Sequence, residues 1–325
     1  RGLGDVYKRQ HEGTVRALID GGPYSAVEAE ALGLIDRLAG RRDIRTEIEA
    51  RAGSTADTMD ADDYLTVAPA PERDSQRRIA LIYATGPIML GNDGQSPFGD
   101  GQMAADTIAG ALNEAIDDEL VQAIVMRVNS PGGSAVASEV IGQAVRRAVE
   151  EGKPVIVSMG GVAASGGYWI SADATAIVAQ PGTQTGSIGV LAGKFATEDL
   201  WDDLGVNWSP IQRGANADMW SGTRPFSARA EARLEAVVEE IYSQFLDRVS
   251  AGRSLPREAV HAVAQGRVWT GAQALERGLV DRLGGLDTAI LMAKEATGMP
   301  IDSEPELLIL PRRRTPFEQF LDLAG

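Results

Sequence analysis

Three short apolar segments of this chain each run directly into a glycine-rich turn, and this pattern restricts the possible folds more than any other feature. The segments are residues 123–128, 154–159 and 176–179, and the turns after them are residues 129–133, 160–167 and 182–189. Short apolar runs that end at glycine-rich turns are typical of buried strands. Further segments are a strand over 79–83 and helices over 107–120, 134–151 and 228–249. Because the strands alternate with helices, the sequence predicts an α/β fold with layered helices and a mainly parallel sheet.

Composition narrows the class of protein further. The 325 residues are 44% hydrophobic and 24% charged, as in one or two globular domains. The formal charge of −15 argues against nucleic-acid binding and against attachment to anionic lipid by charge alone. We expect no metal and no cofactor. The uncharged run 154–172 is glycine-rich and is better explained as a buried strand and helix start than as a membrane span. Any membrane anchor is therefore expected outside this chain.

An internal match at constant offset indicates a duplication. Residues 24–38 align without gaps with residues 269–283, and both copies end in Asp-Arg-Leu. Each copy carries a capping box, Ser25 with Glu28 in the first and Thr270 with Gln273 in the second. Unrelated helices can share such capping chemistry, but the aligned caps, glycine stops and endings favour a repeated unit.

The duplication predicts that the chain is a fragment of a longer protein. We assign 1–10 to a leader that is not native sequence and 11–40 to the end of a truncated first repeat. A helix and linker follow over 41–76, the complete second repeat over 77–300 and a tail over 301–325.

Ser165 is the strongest candidate for a nucleophile. It lies among small residues after the strand 154–159, where a strand-to-helix turn leaves a hydroxyl accessible beside free backbone N–H groups. Ser165 could instead be a small residue at a crowded helix start. The three turns each contain a serine, the other two being Ser130 and Ser187, and loops at one end of a parallel sheet converge. This convergence favours a functional site.

The base that would activate Ser165 is hard to find in this chain. The histidines are His11 and His261, far from the glycine-rich turns, and there is no cysteine, so a Ser-His-Asp triad and thiol catalysis are disfavoured. A desolvated lysine is the usual substitute. The lysines are Lys8, Lys153, Lys194 and Lys294. We expect Lys153 and Lys194 to be solvated and Lys294 to lie in a C-terminal helix, and we expect no competent base in the chain.

The three turns also resemble a known family. Residues 129–133 (NSPGG), 163–168 (AASGGY) and 185–189 (TGSIG) are similar to the three ordered blocks of the signal peptide peptidase A family, over a match from Arg77 to Thr297. The resemblance is to the long form, which has two repeats. It implies the Clp/crotonase fold and a serine endopeptidase.

The resemblance implies specific roles for residues of the second repeat. Ser165 is the expected nucleophile, and the N–H of Gly166 with that of Gly132 or Gly133 is expected to form the oxyanion hole. Ser187 is expected to orient a lysine base. Substrate-binding positions implied in the same way are Ser134, Ala135, Gly186 and Ile188. In the two-repeat form the lysine comes from the first repeat. The one-repeat form has its lysine after the third turn, where residues 212–220 contain none.

The resemblance also implies substrates, partners and a location. Expected substrates are hydrophobic peptides such as remnant signal peptides. Expected partners are the first repeat of the full-length chain and identical subunits in a tetramer. The expected location is the periplasmic side of the bacterial inner membrane, through an anchor absent from this chain.

Two other functions remain open from the residues alone. A crotonase-like acyl-CoA enzyme shares the fold but needs an acidic group near the site. The only acid between Gly160 and Gly189 is Asp173, which we expect to face outward. A catalytically silent assembly domain is the other alternative, and the presence of Ser165 and Ser187 weighs against it.

Overall fold

The protein was analysed as a computed structural model, which describes residues 24–39, 41–52, 74–91, 101–211 and 216–311, with Thr14 and Leu18. The chain divides into two compact units, residues 1–70 and residues 71–325. The predicted leader 1–10 lies outside the described residues, as do most of the predicted linker and residues 312–325 of the predicted tail. No helix in the described part of the chain is both long enough and apolar enough to span a membrane.

The first unit contains two described helices, α1 (Ala26–Ala31) and α2 (Arg41–Ala52). Ser25 begins α1 because its hydroxyl accepts the Glu28 N–H at 3.3 Å, and the Glu28 carboxylate accepts the Ser25 N–H at 2.7 Å. This reciprocal pair is the capping box that the sequence predicts.

The second unit alternates strands with helices, as the sequence pattern predicts. Its strands are β1 (Asp74–Thr85), β2 (Ile88–Met89), β3 (Met103–Ala104), β4 (Val121–Ser130), β5 (Val155–Ala164), β6 (Ala176–Ala179), β7 (Gln184–Gly186), β8 (Val268–Thr270), β9 (Arg282–Leu283) and β10 (Pro305–Leu310). Its helices are α3 (Ala105–Asp117), α4 (Ala135–Glu150), α5 (Gly166–Trp169), α6 (Glu198–Asp203), α7 (Ala228–Arg253), α8 (Arg257–Val263), α9 (Gly271–Glu276) and α10 (Leu286–Thr297).

The main sheet is parallel in the order β10-β1-β4-β5-β6-β9. Strand β5 is shared by two neighbours on one side, because Ile156–Ser158 pairs with β6 and Val162–Ala164 pairs with β7. Strand β8 adds to β7 in the antiparallel direction. These pairings confirm an α/β fold with a mainly parallel sheet, and they bring the ends of β4, β5 and β7 together.

Both faces of the sheet are covered by helices. Alternate residues of β1 point to opposite faces, so that Ile82 packs with α3 and α4 while Ile79 and Leu81 pack toward α10. The larger core lies on the α3 and α4 side and is completed by the C-terminal half of α7, through Phe245 and Val249. Strands buried on both faces explain the continuous apolar runs in the sequence.

One predicted boundary is wrong. Gly160 and Gly161 lie inside β5 rather than in the turn after it, because Val162–Ala164 pairs with β7 and extends the strand. A methyl group at 160 would lie 2.7 Å from Asn129 Oδ1, the atom that accepts the Val162 N–H at 3.2 Å, so Asn129 would have to shift and disturb this hydrogen bond. At the other end, residues 305–310 of the predicted tail form an edge strand against β1.

The two aligned segments of the predicted duplication have the same local geometry. Helix α9 begins with a capping box of Thr270 and Gln273, as α1 does with Ser25 and Glu28. After each helix a glycine takes φ 70°, Gly33 in the first segment and Gly278 in the second. The next residue then donates back into the helix, Leu34 to Ala29 at 2.8 Å and Leu279 to Ala274 at 2.9 Å. This correspondence agrees with a duplication, which stays a prediction.

Tyr168 of α5 ties the centre of the fold to the segment after α9. Its side chain is fully buried, and its hydroxyl donates to the Leu279 carbonyl at 2.8 Å. Burial raises the pKa of Tyr168 well above its ordinary value, so the hydroxyl stays protonated and available as a donor.

Replacing Tyr168 by phenylalanine should lower the free energy of unfolding by about 1–2 kcal/mol, because the buried Leu279 carbonyl loses its donor. Urea denaturation measures the change. Tyr83→Phe is the matched control, since Tyr83 is 44% exposed, and it should shift the stability by less than about 0.5 kcal/mol. Equal stability of the wild type and Tyr168→Phe would contradict the assigned hydrogen bond.

Candidate active site

Ser165 occupies the single residue between β5 and the short helix α5. Its backbone has φ 53° and ψ −119°, a combination that L-residues rarely adopt and that costs about 1–3 kcal/mol. Three backbone hydrogen bonds hold it there. The Ser165 N–H donates to the Gly186 carbonyl at 2.9 Å, and its carbonyl accepts the N–H groups of Tyr168 and Trp169, each at 2.9 Å. The side chain is half-buried and its hydroxyl has no hydrogen bond to any described residue.

The turn after β4 packs against Ser165 at backbone distance. A methyl group on Gly132, which has φ 99°, would lie 2.6 Å from the Gly166 nitrogen and 2.8 Å from Ser165 Cβ. A methyl group on Gly166 would lie 2.5 Å from Ser138 Oγ and 3.2 Å from the Gly133 nitrogen. Both positions must therefore be glycine for the two turns to approach each other.

Some of the backbone N–H groups beside Ser165 already donate a hydrogen bond within the protein, and others do not. The Gly132 N–H donates to Ser130 Oγ at 3.1 Å, and this serine is completely buried. The Gly133 and Gly166 N–H groups have no acceptor among the described residues. The sequence leaves open whether Gly132 or Gly133 is the second oxyanion donor. Because the Gly133 N–H is unpaired, Gly133 is the better candidate, together with Gly166. Two unpaired N–H groups next to a hydroxyl can stabilise an oxyanion.

The third turn places Ser187 at the same cleft. Ser187 also has a positive φ, of 49°, and its N–H donates to the Arg267 carbonyl at 2.7 Å. Strand β7 brings it there, because Ala164 and Gly186 are paired partners directly before the two serines. The structure therefore brings Ser165 and Ser187 together, as the sequence predicts from converging turns.

Ser165 opens into a cleft of about 710 Å³. The turns after β4, β5 and β7 form one side, and α7 forms the other. The α7 residues that line it recur at helical spacing and are Val238, Glu239, Ile241, Tyr242 and Phe245. The sequence identifies α7 as an amphipathic packing helix but not as a cleft wall. Its apolar spacing was the available signal, and only the fold shows what the helix faces.

The structure places only some of the predicted substrate-binding residues along the cleft. Ala135 lines the cleft, whereas Ser134, Gly186 and Ile188 are not among its lining residues. The Ser134 hydroxyl instead caps α4 by accepting the Ala137 N–H, and the Gly186 carbonyl is used by Ser165. The Ile188 side chain is completely buried in the core, and its role in substrate binding stays a prediction.

None of the described lysines lines the cleft, and each Nζ is held by backbone carbonyls elsewhere. Lys194 donates to Ser221 at 2.8 Å, and Lys294 donates to Ile301 at 3.1 Å. Lys153 donates to Asp118 at 2.7 Å and to Ala115 at 3.0 Å, where burial lowers its pKa. Lys153 and Lys194 are partly buried rather than solvated, which corrects the expectation from sequence, and Lys294 lies in α10 as predicted. Lys8 lies outside the described residues.

Asp173 does not face outward, as the sequence led us to expect. Its side chain is 10% exposed and pairs with Arg248 of α7, which also binds Glu139 of α4. Burial raises the pKa of Asp173, although Arg248 and Arg146 oppose the shift. Burial also raises the pKa of Glu139, but Arg248, Gln143 and Trp169 together outweigh it and lower that pKa overall. Asp173 is therefore a structural anchor for α7 and does not reach the cleft.

A serine in a strained strand-to-helix turn, two unpaired backbone donors and an adjoining cleft define a candidate serine hydrolase site. The model of the peptidase family S49 matches residues 147–299, which contain Ser165 and Ser187.

The similar proteins include "Protease 4" of Salmonella typhi, 39% identical over 86% of this chain and 45% of its own length. "Serine protease SPPA, chloroplastic" of Arabidopsis thaliana is 33% identical over the whole chain and 48% of its length. "Putative protease slr0021" of Synechocystis is 35% identical over 70% of this chain and 77% of its length. This chain belongs to peptidase family S49, and it spans about half the length of the first two relatives.

Family membership confirms the predicted signal peptide peptidase A resemblance and the Clp/crotonase-like fold. It also removes support from the acyl-CoA alternative, which depended on an acid near the site. Asp173 is the acid that the sequence offered, and it is committed to Arg248.

Gly132→Ala should lower the free energy of unfolding by about 2 kcal/mol or more, because the new methyl group meets Ser165 and Gly166 at a positive φ. The control is Gly182→Ala, where no atom lies within 4 Å of the added methyl group, and the change should stay below about 1 kcal/mol. Urea unfolding curves compare the two. Similar losses in both variants would show that the close approach of the turns is not a constraint.

Proposed function

We propose that this chain supplies the nucleophile-bearing part of a serine endopeptidase, with Ser165 Oγ as the nucleophile. The observation that carries the proposal is the placement of Ser165. It sits in a strained turn, its hydroxyl faces a cleft, and it has unpaired N–H groups on both sides. A hydroxyl becomes an acyl acceptor only when it is exposed to the substrate carbonyl and when donors await the developing negative charge.

The oxyanion hole is assigned to the N–H groups of Gly133 and Gly166. Gly132 shapes the turn instead, since its own N–H is bonded to Ser130. Fixed backbone donors need no rearrangement as charge develops on the substrate oxygen, which is why such sites lower the barrier. Removing one such donor typically costs about 10²–10³ in turnover.

The base is assigned to a neutral lysine outside this chain, in the first repeat. It takes the proton from Ser165 Oγ as that oxygen attacks the peptide carbonyl and forms a tetrahedral intermediate. The intermediate collapses, the protonated lysine gives the proton to the departing amine, and water then releases the acyl group from Ser165. Ser187, with no hydrogen bond from its hydroxyl to a described residue, is assigned to orient the lysine.

A first-repeat partner is supported by the surface of the first unit. Ile35 aligns with Val280, which is 2% exposed in the second repeat, yet Ile35 is 39% exposed. Leu38 is 46% exposed in the same segment. The length of the relatives, about twice that of the matched region, supports the same partner.

The substrates are proposed to be hydrophobic peptides, such as remnant signal peptides. The support is the apolar cleft wall of Trp169, Phe245 and Ile241 beside Ser165. Burial of apolar side chains in such a wall favours apolar peptide side chains over charged ones.

Assembly of identical subunits into a tetramer belongs to the proposal too. It is supported by nearly complete exposure of apolar side chains after the third turn, namely Leu191 at 95% and Phe195 at 92%. The proposed location is the periplasmic side of a bacterial inner membrane, reached through an anchor outside this chain. The similarity to a protease of the bacterium Salmonella typhi supports the bacterial part of this proposal.

An alkyl fluorophosphonate should label Ser165 in the polypeptide encoded by the full gene, and mass spectrometry of the digested protein locates the adduct. Ser165→Ala should abolish labelling, and Ser187→Ala should slow it roughly ten- to a hundredfold, because the base loses its orienting hydroxyl. Ser209→Ala is the control, since Ser209 is exposed and remote in sequence from the three turns. Labelling that persists in Ser165→Ala would contradict the assignment of Ser165 as the nucleophile.

The isolated chain should hydrolyse apolar peptide substrates at least about a hundredfold more slowly than the full gene product, because its described lysines are committed elsewhere. Adding Lys194→Ala to the isolated chain should leave this low rate unchanged. The contrary result is turnover by the isolated chain that survives Lys194→Ala and disappears with Ser165→Ala. Such turnover would mean that a base lies within this chain.

A further inference from the structure

The turn between α8 and β8 holds the loop that carries Ser187. The Ser187 N–H donates to the Arg267 carbonyl at 2.7 Å, and the Gly266 N–H donates to the Ile188 carbonyl at 2.9 Å. The two segments also cross in direct backbone contact, since a methyl group on Gly189 would lie 2.8 Å from both the nitrogen and Cα of Gly266. The position of Ser187 is therefore set by residues 265–267.

The supporting turn is itself held in an unfavourable conformation. Gln265 has φ 60°, a left-handed value that L-residues other than glycine, asparagine and aspartate rarely adopt. Its N–H donates to the Tyr242 hydroxyl at 3.2 Å, and its side-chain amide contacts His261 Nε2 at 3.0 Å. A strained residue persists only where its surroundings fix it. Here those surroundings are two side chains from other helices.

Tyr242 and His261 complete a closed set of hydrogen bonds. The Tyr242 hydroxyl lies 3.0 Å from His261 Nδ1, and the two rings are 5.9 Å apart between centroids. Tyr242 comes from α7 and His261 from α8, so the network joins both helices to the turn. His261 is exposed, and the function proposed above does not use it.

We infer that the Tyr242 hydroxyl is a positioning group for Ser187, acting through Gln265 and the Arg267 carbonyl. The inference rests on the proposed function, in which Ser187 orients the lysine base. Tyr242 also lines the cleft. Replacing it by phenylalanine removes the hydroxyl and keeps the ring, so this change tests the positioning of Ser187 separately from substrate contact. Without that hydroxyl Gln265 loses the acceptor of its N–H, and the restraint on Ser187 weakens.

The first experiment is amide hydrogen exchange on this chain, followed by NMR or mass spectrometry. Tyr242→Phe should reduce the protection of the Ser187 and Gly266 amides roughly tenfold, the change expected when one hydrogen bond no longer restrains a local opening. The Ile124 amide, which donates to Pro154 in the central sheet at 2.9 Å, should keep its protection. Tyr83→Phe is the matched control, and its Ser187 protection should equal that of the wild type.

The second experiment measures peptide hydrolysis by the full gene product. Tyr242→Phe should lower kcat about three- to tenfold with KM unchanged within about twofold, because the ring stays in the cleft while the base is misaligned. His261→Ala changes an exposed residue. It should also lower the protection of the Ser187 amide and kcat, but by less than Tyr242→Phe does. It serves as the test if Tyr242→Phe does not fold.

The outcomes separate this inference from the proposed function. Unchanged protection of the Ser187 amide in both variants overturns the inference. If the wild-type enzyme is active, a Tyr242→Phe variant with the same kcat as the wild type overturns it as well. A wild-type protein in which Ser165 is never acylated defeats the proposed function instead. In that case the exchange results still decide whether Tyr242 restrains the Ser187 loop.

Discussion

The site depends on backbone-to-backbone packing of the turns that follow β4 and β5. Gly132 lies so close to Ser165 that no side chain fits between them, and a methyl group on Gly166 would lie 2.5 Å from Ser138 Oγ and 3.2 Å from the Gly133 nitrogen. This contact forces glycine at several positions and places two N–H donors beside one hydroxyl. The Ser165–Gly186 hydrogen bond then locks the third turn to the second. Because the constraint comes from the main chain, it leaves the cleft-facing side chains free to vary.

Helix α7 provides the other wall of the cleft, and buried charge fixes its position. Arg248, 6% exposed, binds Asp173 and Glu139, and Trp169 donates to Glu139 at 3.0 Å. Gly142 on α4 makes room, since a methyl group there would lie 2.6 Å from the Arg248 guanidinium. Buried ion pairs add little net stability, because desolvation offsets their attraction. They do penalise any arrangement that leaves one partner alone, so they restrict where α7 can pack.

The sequence predicts the local and repetitive parts of this structure well. Apolar runs locate the central strands, capping residues locate the starts of α1 and α9, and three serine-bearing turns indicate one site. Contacts between distant segments are not predictable in this way. The extension of β5 depends on pairing with β7, and the burial of Asp173 depends on an arginine 75 positions later. Neither leaves a local pattern.

The same limit applies to the candidate site. The nucleophile and the third-turn serine follow from residue type and turn position, whereas the choice between Gly132 and Gly133 requires knowing where each N–H points. The resemblance implies Ile188 as a substrate-binding position, but its side chain is completely buried in the core, a contact that the sequence does not reveal. Tyr242 and His261 carry no motif, and only the packing of α7 and α8 relates them to the site.

The edge strand β10 has a consequence for how the molecule is made. Residues 305–310 pair with β1, the first strand of the sheet, so the unit is closed by joining its earliest segment to its last described one. During synthesis, the edge of β1 that pairs with β10 therefore stays unpaired until nearly the whole unit has left the ribosome. Closure of so long a loop is entropically costly and slow. An unpaired apolar edge of this kind is a place where nascent chains associate, so the late pairing of β10 lengthens the time during which this protein is exposed to that hazard.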